Sequence, residues 1–152
     1  MIGARFWSVF HFLLLIILLW WNYIANSGSL PYSAGELSAK YPTLFTPAAY
    51  AFAIWGVIYL GLTALSIYML YASFKKGFKD DFIPRSAPYL SLAYIGMIGW
   101  LWFWGNDMVF IALCFMFVIL ISLILCVLRT RMELWDAPVH FMALVWWPID
   151  LL

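Results

Sequence analysis

Six residues carry what chemistry this chain can offer a ligand. Within Phe45–Tyr59, FTPAAYAFAIWGVIY, stand Pro47, Tyr50, Trp55 and Tyr59, and further along stand Trp100 and Trp104. Trp55 and Tyr59 are four apart, as are Trp100 and Trp104, so on helices each pair shares a face. Large rings with one polar tip suit stacking against a planar apolar molecule and orienting it by a hydrogen bond, which makes these faces candidate ligand walls. The alternative use of such rings is as anchors and packing elements at a membrane surface.

Other chemistry is sparse. His11 and His140 fall in different segments, and Cys114 and Cys126 are twelve apart inside one apolar run, so no metal-ligand spacing and no disulfide framework is present. Both cysteines read as packing residues, and His11 as an interfacial or hydrogen-bonded histidine. No Ser/His/Asp constellation or nucleotide-binding loop occurs, and the first four apolar segments lack Asp, Glu, Lys and Arg at membrane depth. Coupled pumping and acid–base catalysis are therefore not expected, and no cofactor is implied. Asp150 is the exception, an intramembrane carboxylate by sequence position, where it either serves a function or reaches water at the chain end.

The elements that must position these residues are set by composition. Of 152 residues 67% are hydrophobic and 10% charged, against a soluble norm of about 45–50% and about 25%. The chain reads as one all-α transmembrane domain over residues 1–152. With about 20 residues per span and short loops it holds about five spans. A net charge of +1 argues against a nucleic-acid partner.

The first span is expected at Phe6–Ile24, a retained helix rather than a cleaved leader. Asn22–Leu44 then forms a long polar loop, read as a lid over the bundle, in which Ser33 can cap a short helix over Ala34–Lys40 with Glu36 completing a capping box and Tyr32 and Tyr41 available to pack. Thr46 and Pro47 make a helix start for the second span, Pro47–Ser73. A basic loop, Phe74–Ser86, leads to the third span, Ala87–Gly105, with Pro88 in its first turn. A tight turn at Gly105-Asn106-Asp107 precedes the fourth, Met108–Val127, an aliphatic and lipid-facing scaffold. From Pro138 to Leu152 a fifth segment of about fifteen apolar residues covers roughly two thirds of a bilayer core, so this helix is either short or cut before its natural end.

Alternating spans put Arg5, Lys75, Lys76, Lys79, Arg85, Arg129 and Arg131 on one side and Lys40 alone on the other. The positive-inside rule makes the first side, with the N-terminus, cytoplasmic. On this topology Trp55 lies about 12 Å below the outer helix end and Trp100 about 6 Å below Trp104, bringing Trp55 and Trp100 to similar depths beneath the first loop.

From Pro47 through Trp55 to Tyr59 the chain resembles the opening of the second helix in the tryptophan-rich sensory protein/translocator protein (TspO/MBR) family. Five hydrophobic segments, a long first loop and a Trp-rich third helix ending in Trp100 and Trp104 extend the resemblance over most of the chain, closest to the diverged tryptophan-rich bacterial branch. Thr46, Ala49, Ala51 and Met97 depart from the usual proline, tryptophan, phenylalanine and asparagine. The resemblance implies a five-helix protein of the bacterial inner membrane, not an enzyme, that binds a planar hydrophobic molecule such as a porphyrin or sterol below the first loop through Pro47, Tyr50, Trp55, Tyr59, Trp100 and Trp104. It also implies a sensing or transport role, and a homodimer. A structural or regulatory membrane subunit without a ligand is the alternative, and a porphyrin-degrading enzyme a weaker third.

Overall fold

The computed structural model describes residues 2–42, 49–75 and 82–130, together with Ile149. These fold as an all-α membrane bundle: α1 (Ile2–Asn26), a short α2 (Ala34–Lys40), a 3₁₀ turn (Ala49–Ala53), α3 (Ile54–Phe74), α4 (Phe82–Gly105) and α5 (Val109–Thr130). Three stretches, Gly3–Asn26, Tyr50–Phe74 and Val109–Thr130, are each long and apolar enough to cross a membrane. The fifth expected span, with His140 and Asp150, lies outside the described residues apart from Ile149, which is buried beside Leu65, Met69 and Leu90.

α4 is the element around which the others pack. It buries Ile83, Ala87, Leu90, Tyr94, Met97 and Leu101, a spacing of alternating fours and threes that keeps one seam facing a neighbouring helix. One flank meets α1 and the other α5. On the α5 side the approach depends on glycine: a Cβ on Gly99 would lie 2.4 Å from the Phe115 ring, and one on Gly96 2.8 Å from Ile119 Cγ1. Small residues at such crossings let backbones close up, which drives helix association in lipid better than bulk hydrophobicity. The opposite face of α5, with Phe110, Leu113, Phe117 and Ile121, is exposed, as a lipid-facing scaffold requires.

Several boundaries differ from those expected, for local reasons. α1 begins at Ile2 and continues to Asn26, so Asn22 and Asn26 belong to a helix and not to the loop. α4 starts at Phe82, five residues early, because Pro84 sits in its first turn, where no amide partner is missing. Pro88 consequently lies inside the helix, at the cost of a single bond to the Pro84 carbonyl. Thr46 and Pro47 lie outside the described residues; Ala49–Ala53 is 3₁₀ and the α-helix begins only at Ile54. Cys126 packs in the core as expected, whereas Cys114 is exposed on the outer face.

At the end opposite the first loop, α1 and α3 are pinned by Ser8 Oγ and Ser73 Oγ, 2.7 Å apart, and by Arg5 Nε donating to the Ser73 carbonyl at 3.4 Å. His11 corrects the sequence expectation: it is neither interfacial nor hydrogen-bonded but fully buried, stacked on Tyr94 with ring centroids 4.6 Å apart. Among the described residues, its two ring nitrogens, Ser66 Oγ, Ser91 Oγ and Tyr94 Oη have no hydrogen-bond partner of good geometry. Elsewhere the helical hydroxyls of Thr63, Ser86, Ser122 and Thr130 each donate back to a carbonyl of their own helix. An unpaired buried hydroxyl costs about 1–3 kcal/mol. Tyr94→Phe keeps the stacked ring and removes one such group, and should leave the melting temperature in detergent unchanged or raise it by the equivalent of about 1 kcal/mol; a clear fall would mean that this oxygen is satisfied in the folded protein.

Candidate functional site

Below the first loop lies a cavity of about 430 Å³, within the range of small-molecule sites. Trp55, Gly56 and Tyr59 of α3 form one wall, Trp100 and Leu101 of α4 a second, and Leu19, Asn22, Tyr23 and Asn26 of α1 a third, with Ala34 and Phe52 at the rim. The rings are contiguous. Trp55 stacks on Trp100 at 5.6 Å and 28°, Trp100 on Trp104 at 6.0 Å and 30°, and Tyr59 leans on Trp55 at 6.0 Å. α3 and α4 thus present one aromatic surface at a common depth, where the sequence placed Trp55 and Trp100.

Asn22 orients the polar tip. Its Nδ2 donates to Tyr59 Oη at 2.9 Å, while Asn26 Nδ2 donates to the Asn22 carbonyl at 2.8 Å and faces Asn22 Oδ1 at 3.5 Å. Asn22 and Asn26 are four apart on one face of α1. That spacing was visible in the sequence, but placing Asn22 in the loop hid it.

The structure brings together Trp55, Tyr59 and Trp100, but not all the residues named from sequence. Trp104 lies behind Trp100, and its Nε1 donates to the Ala34 carbonyl at 3.3 Å, so it seats α2 on the bundle rather than lining the cavity. Tyr50 is 83% exposed and does not reach the cavity, because the 3₁₀ turn before Ile54 changes the register assumed for a continuous α-helix. Pro47 lies outside the described residues.

The roof is built as the sequence predicts. Ser33 caps α2, its hydroxyl accepting from Glu36 N at 3.4 Å while Glu36 Oε2 accepts from Ser33 N at 2.8 Å. These bonds to Ser33 hold the Glu36 carboxyl below the ordinary range. At its far end α2 is latched to the α4–α5 turn. Lys40 Nζ donates to Asp107 Oδ2, Tyr41 Oη donates to Asp107 Oδ1 at 2.9 Å, and Lys40 also reaches Tyr32 Oη at 3.2 Å. Asp107 has φ +63°, the left-handed position of a Schellman cap: Met108 N donates to Phe103 O at 2.9 Å and Asp107 N to Trp104 O at 3.0 Å.

Residues 8–152 match the family model described as TSPO-like protein. The chain belongs to the TSPO-like protein family. No curated protein and no solved structure matches it. The matched stretch takes in every residue of the cavity, the latch and the aromatic surface, and membership agrees with the resemblance seen from Pro47, Trp55 and Tyr59. As a TSPO-like protein with three membrane-crossing helices, it is an integral membrane protein.

The latch of this TSPO-like chain has a defined pH range. Hydrogen bonds from Lys40, then Tyr41, hold the Asp107 carboxyl below its ordinary value, and the Asp107 bond raises the Lys40 ammonium. A depressed carboxyl stabilises the closed latch above its unlatched pKa of about 3.9, and that contribution is lost as pH falls through the lower, latched value. A raised ammonium contributes below about 10.4 and is lost only as pH rises past the latched value. Corrected for intrinsic exchange, the protection of the Ala34–Lys40 amides should therefore hold from about pH 5 to 10 and fall in acid. Asp107→Asn should lower that protection at neutral pH without loss of overall helicity, and high salt should reduce the difference.

Proposed function

We propose that this TSPO-like protein is a membrane sensor or carrier that binds a planar hydrophobic molecule, porphyrin-like or sterol-like, in the cavity beneath the first loop. One observation carries the reading: Tyr59, Trp55 and Trp100 form a continuous stacked surface along a cavity of about 430 Å³, with Asn22 fixing a single hydroxyl beside it. Such a surface offers area for a macrocycle or fused ring system and little else. Among the described residues that line it there is no Asp, Glu, Lys, Arg, His or Cys.

Titrating the purified protein in lipid nanodiscs with a free-base porphyrin, and following tryptophan fluorescence, tests this. Saturable quenching that disappears in Trp100→Ala supports the proposal; quenching that is linear and indifferent to the substitution refutes it. The second result would favour the structural-subunit reading, for which the exposed Trp20, Tyr23 and Trp102 at the same end of the bundle supply an interfacial belt.

The proposal includes an orientation, with the latch outside and the Arg5 end in the cytoplasm of a bacterial inner membrane. Arg5, Lys75, Arg85 and Arg129 lie at the latter end and Lys40 at the former. In a background lacking Cys114 and Cys126, an impermeant maleimide should label Ser29→Cys on intact cells and Lys75→Cys only after lysis; the reverse pattern would invert the topology.

A further inference from the structure

Resting on the proposed binding function, we infer that this cavity selects an uncharged planar ligand bearing a hydrogen-bond acceptor, such as a carbonyl or ester, and discriminates against carboxylates. The inference comes from where the cations are. Of the eight Lys and Arg residues in the chain, none is among the described residues that line the cavity. Arg5, Lys75, Arg85 and Arg129 sit at the other end of the bundle, and Lys76, Lys79 and Arg131 follow Lys75 and Thr130 closely in the chain. Tyr59 is about 24 Å from Lys75 along α3 at 1.5 Å per residue.

Lys40 is the cation left on the cavity side, and its ammonium is engaged by Asp107 and Tyr32. Glu36 lies in the first turn of α2, its carboxylate accepting from Ser33 N. Glu36 and Asp107 against Lys40 leave the described roof with one net negative charge. A ligand carboxylate entering this cavity would lose its hydration, find no guanidinium or ammonium among the described lining residues, and pass a roof of net negative charge.

What the cavity does offer is a neutral donor. Tyr59 Oη accepts from Asn22 Nδ2 at 2.9 Å, and Asn26 Nδ2 donates to the Asn22 carbonyl at 2.8 Å. With Asn22 as donor to it, the Tyr59 hydroxyl keeps its own proton to give, and a carbonyl oxygen of a ligand stacked on Trp55 can receive it. Asn26 and Ser27, further up the same wall, are also uncharged.

The test is a matched pair of probes, a free-base porphyrin dicarboxylic acid and its dimethyl ester, which share one macrocycle and differ in charge. Each is titrated into protein-loaded nanodiscs and into empty nanodiscs, so that partition into lipid is subtracted. The ester should bind at least about tenfold more tightly than the diacid at neutral pH. Tyr59→Phe should weaken the ester several-fold and leave the diacid nearly unchanged. A diacid affinity equal to or above that of the ester, with quenching still dependent on Trp100, would overturn the inference while leaving the planar-ligand reading intact. Failure of both probes to quench in a Trp100-dependent manner would remove that reading and the inference with it.

Discussion

Gly99→Leu should separate α4 from α5 and destabilise the bundle by about 1–3 kcal/mol, the usual scale for forcing extra carbons into a packed contact. The Phe115 ring, stacked on Phe103 at 5.3 Å, occupies the space that a side chain at Gly99 would need, with Cε1, Cδ1 and Cζ all within 2.8 Å of a built Cβ. A flat ring held on its other side cannot swing away as a lone aliphatic tip can. Gly96→Ala should cost less, because it adds a single carbon, against one Ile119 atom at 2.8 Å. Gly3→Ala, with nothing within 4 Å, is the control and should be neutral. Unfolding in mixed micelles measures all three. Equal stability of Gly99→Leu and Gly3→Ala would show that the α4–α5 contact is looser than the structure describes.

Loss of either ring of the central pair should have the largest effect on binding. Trp55→Ala and Trp100→Ala should each weaken a planar ligand by about 1–3 kcal/mol, the scale of one aromatic stacking surface. Because Trp55 and Trp100 also stack on each other, removing one releases its neighbour, and the double substitution should cost less than the two single losses added. Trp7→Ala, at the far end of α1, should change affinity little. Isothermal titration in nanodiscs gives these values directly. If all three variants bind like the parent while remaining folded, the aromatic cavity is not the binding site and the interfacial-belt reading replaces it.

Features governed by local chemistry were legible in the chain. Ser33 and Glu36 define the capped α2, and Gly105-Asn106-Asp107 the turn, because each depends on residues three to five apart. The common depth of Trp55 and Trp100 was legible for a related reason, since helical rise alone sets it, whereas their ring contact depends on how α3 packs on α4. Tyr50 was misplaced because a few residues of 3₁₀ geometry rotate a side chain further per residue than an α-helix does, and nothing in Ala-Tyr-Ala-Phe-Ala announces that change. His11 was misread for a tertiary reason: its burial depends on Tyr94, far away in sequence and brought to it only by the α1–α4 packing. The Lys40–Asp107 pair is of the same kind, as no spacing rule connects a loop lysine to a turn aspartate.

The central position of α4 also bears on how the protein enters its membrane. α4 is the one long helix of the described four that is not among the stretches apolar enough to cross on their own, and it carries Arg85, Ser86, Ser91 and Tyr94. Presented alone to a translocon, such a segment partitions poorly into lipid. The Schellman turn at Asp107 joins it directly to the aliphatic α5, so the two can insert as a hairpin in which α5 supplies the favourable transfer energy and covers part of the α4 surface. On that hairpin route the commitment of α4 to the bilayer would wait on the emergence of α5 from the ribosome, and a chain truncated before Val109 should leave α4 less completely inserted than the full chain does.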